Sequence, residues 1–256
     1  MKRMTIDMTI SSAAYVTAIR DAIERAGTTQ GDGIARAADL ITATLRAGGV
    51  LQAFGCGHSE ALAMEFAGRA GGLVPTNKIA LRDIVLFGGD PAAVLTDPEL
   101  ERTPAVAHRL YELAPIKPDD AFVIASNSGV NGAVVELAQI VKQRGHALIA
   151  ITSLAHSSRV EPRHASGLKL ADLADVVLDN GAPYGDAVLP YPGGAVGAVS
   201  SITAALLAQQ IVAEVVARLL AAGETPPVYL SDNVPGGREH NKELEARYAG
   251  RIRRLA

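Results

Sequence analysis

Chemistry in this chain concentrates in two short stretches of small and polar residues. The first is FGCGHSEALAMEF, residues 54 to 66, where an apolar run passes through Gly55, Cys56, Gly57, His58 and Ser59 into a helical pattern. Backbone N–H groups at the start of a helix, joined by a hydroxyl, form a cradle for an anion or for sugar hydroxyls. The second is VIASNSGVNGAVVELA, residues 123 to 138, in which a buried run leads to Ser126, Asn127, Ser128 and Gly129, with Asn131 in the first turn of the next helix. A helix cap needs one such residue, and here four polar side chains cluster. They can saturate the oxygens of a tetrahedral oxyanion without a lysine. No Walker lysine follows, which argues against nucleotide hydrolysis, and GCGHSE lacks the third glycine of a dinucleotide fingerprint.

Proton transfer needs a base and a partner near such a cradle. Glu65 lies two helical turns beyond the first loop and is the candidate base; Glu60 competes, although in the first turn it also complements the helix dipole. The tail SDNVPGGREHNKELE, residues 231 to 245, sets Glu239 and His240 after a Pro-Gly-Gly turn. That turn reads either as part of a solvated tail or as a hinge that delivers an imidazole to its own site or a neighbour's. Arg69 and Arg82 are candidate contacts for a second anionic or polyol group, with surface ion pairing as the plainer reading. His156, Glu161 and His164 have no i,i+4 histidine pair, so neither a metal site nor a cofactor is expected.

The elements that must position these residues alternate. Helices are predicted at 11–26 and 34–47, then buried strands at 50–54, 121–125, 147–151 and 175–178, separated by helices at 59–69 and 131–144. Residues 71–120 are irregular and read as an insertion covering a substrate, with a possible helix at 104–113. A long helix is expected from about 195 to 222 and a charged helical tail at 238–250. The fold class is α/β, a three-layer αβα sandwich on a mostly parallel five-stranded sheet with the N-terminal helices outside it. We read 1–256 as a single domain with a helical extension over about 1–48 and a tail over about 224–256.

Composition fits. Hydrophobic residues make up 48% and aromatic ones 4%, so Ala, Val, Leu and Ile must build the core. A net charge of −3 provides no basic field for a nucleic-acid partner. The lone Cys56 forms no internal disulfide and suits a reducing cytoplasm, and the N-terminus is not a signal peptide. The uncharged run Gly193–Ala213 reads as a buried helix rather than a membrane span, because Ser, Thr and Gln interrupt it. That helix is apolar around most of its circumference, which predicts a homodimer or higher assembly.

Taken together, G-x-G-x-S after the first strand, S-x-S-G from Ser126 to Gly129, and the Ser/Thr-rich helix start VSSITAALLAQQ at 199–210 resemble the sugar isomerase (SIS) domain family. The resemblance covers roughly residues 34 to 222. It implies the SIS fold, an anionic sugar as ligand, and enediol proton transfer or, alternatively, a sensor that only binds. It places the sugar phosphate on Ser126, Asn127, Ser128 and Asn131, and the sugar near Gly57, His58 and Ser59, with Ser200 and Ser201 at the last helix. The chain is most similar to stand-alone relatives of phosphoheptose isomerases, some of which end in a PGGxEHN-like tail, here Pro235 to Asn241. Those isomerases carry a Glu ten residues after the loop serine, where this chain has Arg69. They have a His where Glu65 stands, and another on the last helix, where this chain has Gln209 and Gln210.

Overall fold

The alternation of side chains along three buried strands builds two cores. In β1 (Leu51–Gly55), β3 (Ala121–Ala125) and β4 (Leu148–Thr152), Leu51, Ala53, Val123, Ile149 and Ile151 face one way, and Phe54, Phe122, Ile124, Leu148 and Ala150 the other. A computed structural model describes residues 10–254. Its order is α1 (Ser12–Thr29), α2 (Gly31–Arg46), β1, α3 (Glu60–Phe66), β2 (Thr76–Ile79), α4 (Asp83–Leu86), α5 (Ala105–Leu113), β3, α6 (Gly132–Gln143) and β4. There follow α7 (Leu154–Ser157), α8 (Leu170–Leu173), β5 (Val176–Asp179), the hairpin β6 (Ala187–Tyr191) and β7 (Gly194–Ala198), α9 (Ser200–Ala221) and α10 (Gly237–Ala246). Strands one to five form a single parallel sheet in the order β2-β1-β3-β4-β5. Residues of α2, α3 and α9 fill the core on one face, and those of α5 and α6 the core on the other. This is the three-layer α/β architecture expected.

The details depart from the sequence reading in four places. The fifth strand, β2, comes from the irregular stretch; TNKI has one large apolar residue, so it makes no buried run, and its Asn77 is paired inside the sheet by Gln52 Oε1 at 3.0 Å. The second N-terminal helix is more than an extension: Ile34, Ala37, Ala38 and Ile41 of α2 pack in the core layer beside α9, whereas α1 packs on α9, with Ala22 and Ala26 buried. The long helix begins at Ser200, because Gly193 and Gly194 turn the preceding residues into the antiparallel hairpin. Gly197 at φ 86° leaves room for the Tyr15 ring, whose hydroxyl donates to Ala198 O at 2.7 Å. Finally, α10 ends at Ala246, earlier than the expected 250.

By length and composition α9 could cross a membrane, with a mean hydropathy of 1.6. It packs on α1, α2 and α3, burying Thr203, Leu207, Ile211 and Val215.

A buried carboxylate ties the tail to the sheet. Asp120, at the foot of β3, accepts from Val50 N at 2.8 Å and Gln52 Nε2 at 2.9 Å, and pairs with Arg251 at 2.5 Å. The last described residues then run along β2, where Arg253 N donates to Asn77 Oδ1 and Arg254 donates to Val74 O at 2.8 Å and Thr76 O at 2.9 Å. At the other edge, Gln30 Oε1 accepts from Asp179 N at 3.0 Å and Arg36 donates to Asp175 O at 2.6 Å.

Candidate functional site

The two loops singled out by the sequence meet at the carboxyl ends of β1 and β3. Gly55 lets the first double back: a Cβ there would stand 2.3 Å from Ser59 O, in the short turn Gly57–Ser59 that opens α3. In the second, Ser126 Oγ accepts from Gly129 N at 3.1 Å, and Gly129 takes the φ of 68° that the turn requires. Asn131 is the N-cap of α6 in extended conformation and caps no backbone N–H with its side chain. The side chain thus leaves the first-turn N–H groups of α6 uncapped beside the loop, the arrangement that favours an anion.

A narrow cleft of about 20 Å³ runs between the loops and the start of α9, lined by His58, Ser59, Ser126, Asn127, Asn180, Ser200 and Ser201. That is room for about one water molecule. Gly57, Ser128 and Asn131 stand in the same loops beside it. Asn180, which follows β5, donates from Nδ2 to Asn127 Oδ1 at 3.1 Å and orients that amide. Ser200 reaches the cleft, but its hydroxyl is committed: it donates to Asp186 Oδ2 at 2.6 Å, while Asp186 Oδ1 accepts from Ser200 N at 2.8 Å. Asp186, with φ 64°, thus caps α9 from the hairpin's entry.

The acidic candidates are distributed differently from expectation. Glu65 turns away from the cleft, pairing with Arg69 one turn on and accepting from Gln209 Nε2 at 2.9 Å. Arg69 accordingly lies at the far end of α3 and not beside the serines. Glu60 is neutralised by Lys78 at 3.1 Å and by Arg82. Glu239 is exposed on α10, and His240 Nε2 lies 3.0 Å from Val228 O, beside the bridge between Val228 and Leu73 at the amino end of β2. Within one chain the tail pair is thus at the opposite end of the sheet from the cradle. The Pro-Gly-Gly turn is packed: a Cβ on Gly237 would meet Ser231 O at 2.1 Å, so glycine serves close approach there and not hinge motion.

A carboxylate that sequence reasoning missed stands on the rim. Glu101, in the short helical segment Leu100–Arg102, accepts from Asn131 Nδ2 at 2.9 Å, and its other oxygen lies 3.6 Å from where a Gly57 Cβ would be. The segment is seated on α6, since a Cβ on Gly132 would lie 2.0 Å from Arg102 O. Only the expectation of a covering insertion over 71–120 hinted at it. Below the rim, Cys56 is buried and its thiol is pushed up, first by burial and then by Glu101 and Glu60.

His156 and His164 take separate partners. His164 Nε2 pairs with Glu136 Oε2 at 2.7 Å, and His156 Nδ1 accepts from Gly185 N at 3.1 Å.

A model described as the SIS domain matches residues 14–153, more than half of the chain. A UPF0309 protein of Listeria monocytogenes is 41% identical over 235 residues, covering 91% of this chain and 95% of its own. A UPF0309 protein of Brucella anthropi is 40% identical over 220 residues, covering 85% and 88%. Among solved structures, the phosphoheptose isomerase of Neisseria gonorrhoeae aligns with a TM-score of 0.53 at 21% identity, over 80% of this chain and 96% of its own. An E. coli protein solved in complex with a phosphosugar aligns with a TM-score of 0.50 at 18% identity, over 80% and 87%. These two likenesses speak for the fold. Motif, fold and sequence agree: the chain belongs to the SIS-domain family and, within it, to the UPF0309 proteins.

Proposed function

We propose that the chain binds a phosphorylated sugar in the cleft between the Ser59 and Ser126 loops and interconverts its aldose and ketose forms. The observation that carries this reading is the convergence of Ser59, Ser126 and Asn127, from two loops, at the carboxyl ends of parallel strands close to the uncapped start of α6. Hydroxyls, amides and N–H groups there suit an oxyanion. The phosphoheptose isomerases of like fold, and the E. coli protein that holds a phosphosugar, support the ligand class.

Isomerisation moves a proton between neighbouring carbons through an enediol: a base takes it from the carbon beside the carbonyl and returns it to the former carbonyl carbon. Glu65 lies six residues past Ser59, about 9 Å along the helix, so a sugar held by its phosphate must extend along α3 to reach it. Glu101 is closer to the cradle and is the competing base. Glu239 and His240 take part only by entering the cleft of a second copy. The exposed apolar residues Val16 and Ile23 of α1, with Tyr191 and Val196 of the hairpin, are the faces we assign to that copy. Light scattering at micromolar concentration checks the assembly, and a monomer refutes it.

The decisive experiment is exchange of the substrate's C2 hydrogen with D₂O. Exchange abolished in Glu65→Gln, with ligand binding changed only a few-fold, supports Glu65; exchange lost instead in Glu101→Gln moves the role to the rim. No exchange in the wild type with any sugar phosphate that stabilises the protein favours the second reading, a sensor, in which Glu65 stays in its ion pair with Arg69 and Glu101 only holds Asn131. For the cradle itself, Ser126→Ala with Ser128→Ala should weaken the phosphorylated sugar at least about tenfold, from hydrogen bonds to charge worth roughly 1.5–3 kcal/mol each, and the unphosphorylated sugar much less. Equal losses for both would place the phosphate elsewhere.

A further inference from the structure

A cleft far larger than the cradle lies elsewhere in the described structure. It has a volume of about 630 Å³ and lies on the opposite side of α3, where Met64, Ala67 and Gly68 form part of its wall, whereas Ser59 and Leu62 line the cradle. That volume is in the range of small-molecule sites. Its remaining walls come from β2, from α4 and the residue after it (Asp83 and Phe87), from residues 229–232, from α10 and from Arg253 and Arg254.

Six cations line it against three carboxylates, on a chain whose net charge is −3; two of the six, Arg69 and Lys78, are already paired with Glu65 and Glu60 behind the wall, which leaves four to face the cleft. The cations are Arg69, Lys78, Arg238, Lys242, Arg253 and Arg254. The two innermost are held largely by neutral groups. Arg254 donates to Val74 O, Thr76 O and the Tyr229 hydroxyl, with Glu245 no nearer than 3.7 Å. Arg253 donates to Leu113 O and lies over the Phe87 ring at 3.7 Å. Main-chain carbonyls fix these guanidinium groups in place, and the carboxylates that face them, Asp83 for Arg253 and Glu245 for Arg254, accept no hydrogen bond from either. Burial lowers the Arg253 pKa, so an anion beside it would recover part of what desolvation costs. On α10, Arg238 and Lys242 are one turn apart at the mouth, and the pair of Arg238 with Asp232 is long, 4.0 Å.

We propose that this cleft is a second binding site, for a small molecule carrying two adjacent anionic groups such as a diphosphate. Two cation pairs from different elements line it, Arg253 and Arg254 near the end of the described chain and Arg238 and Lys242 on α10, so a ligand with two anionic groups can engage both. The site stands independently of the chemistry assigned to the cradle.

Isothermal titration of the full chain with pyrophosphate, ADP and inorganic phosphate tests it. Pyrophosphate is expected to bind more tightly than phosphate and to weaken as salt rises. The double variant Arg238→Ala with Lys242→Ala, both exposed, should lose about tenfold in affinity. Asp83→Asn, which removes a carboxylate from the wall, should tighten binding, whereas Ser126→Ala with Ser128→Ala should leave it unchanged. ADP binding as tightly as pyrophosphate would identify a nucleotide diphosphate as a source of the group. The proposal is overturned if millimolar pyrophosphate gives no binding heat, or if affinity falls in the serine variant and not in the α10 variant, since the anion then sits in the cradle.

Discussion

Changing Asp120 to Asn is expected to release the C-terminal segment from the sheet while leaving the strand interior correctly shaped. The carboxylate is fully buried and serves four donors: Val50 N and Arg251 Nη2 on one oxygen, Gln52 Nε2 and Lys117 N on the other. Asparagine keeps one acceptor but turns an NH₂ group toward existing donors, and leaves the Arg251 guanidinium, whose side chain is 13% exposed, without its counter-charge. Breaking a buried pair in this way costs about 3–5 kcal/mol. At about 2–4 °C per kcal/mol for a chain of this size, Tm should fall by about 6–20 °C. Thermal unfolding gives the total, and limited proteolysis should find new cleavage between 224 and 254. Arg251→Met on top of Asp120→Asn removes the stranded charge, so the double variant should cost less than the two single changes together, by about 1 kcal/mol or more. Additive costs within about 0.5 kcal/mol would refute the pairing and assign the whole effect to the backbone donors.

Gly132→Ala should displace the Leu100–Arg102 segment and cost about 1–3 kcal/mol in urea unfolding, because its Cβ has a carbonyl in the way; a change below about 0.5 kcal/mol would contradict the close seating. The Cys56 thiol, pushed up by burial, should not react with a disulfide reagent at pH 8 until urea is added, and rapid labelling of the folded chain would show the loop to be open. Asp83 has its pKa raised chiefly by burial, so its native preference for the neutral form stabilises the fold at acid pH and is lost as pH rises through the raised value. Asp83→Asn should therefore gain stability relative to wild type at pH 7 and lose that advantage toward pH 3; the opposite trend would mean that its cationic neighbours dominate. Glu136 joins His108 and His164 at 2.7 Å each, and Glu136→Gln should cost about 1.5 kcal/mol and speed hydrogen exchange over 158–169. Unchanged exchange there would show that the loop is held by something else.

What the sequence made legible follows from how strongly each segment is constrained. The strands LQAFG, AFVIA and LIAIT are buried on both faces and so are apolar at nearly every position, with Gln52 and Thr152 the exceptions, and they announce themselves. An edge strand such as β2 is free of that demand, and its Thr76 and Asn77 are buried only because Leu73 O, Gln52 and Arg253 satisfy them. The serines of the cradle were readable because their loops follow recognisable strands. Asn180, Asp186 and Glu101 were not, since each sits in an aperiodic loop whose neighbours are set by the path of the chain around the sheet. The Pro-Gly-Gly turn shows the limit of reading composition alone: a glycine chosen for a backbone contact and one chosen for motion have the same letter.

Both margins of the sheet are closed by side chains and not by further strands. Arg254 occupies carbonyls along β2, and Gln30 and Arg36 occupy an N–H and a carbonyl at β5. A second copy would have to displace these side chains to pair strand to strand, which favours an assembly made from helices and the hairpin. The same closure makes Arg253 and Arg254 a guard against aggregation. A chain clipped after α10, or loosened at Asp120, would expose a bare strand edge well before it lost its core, and should form ordered aggregates under conditions in which the intact chain stays dispersed.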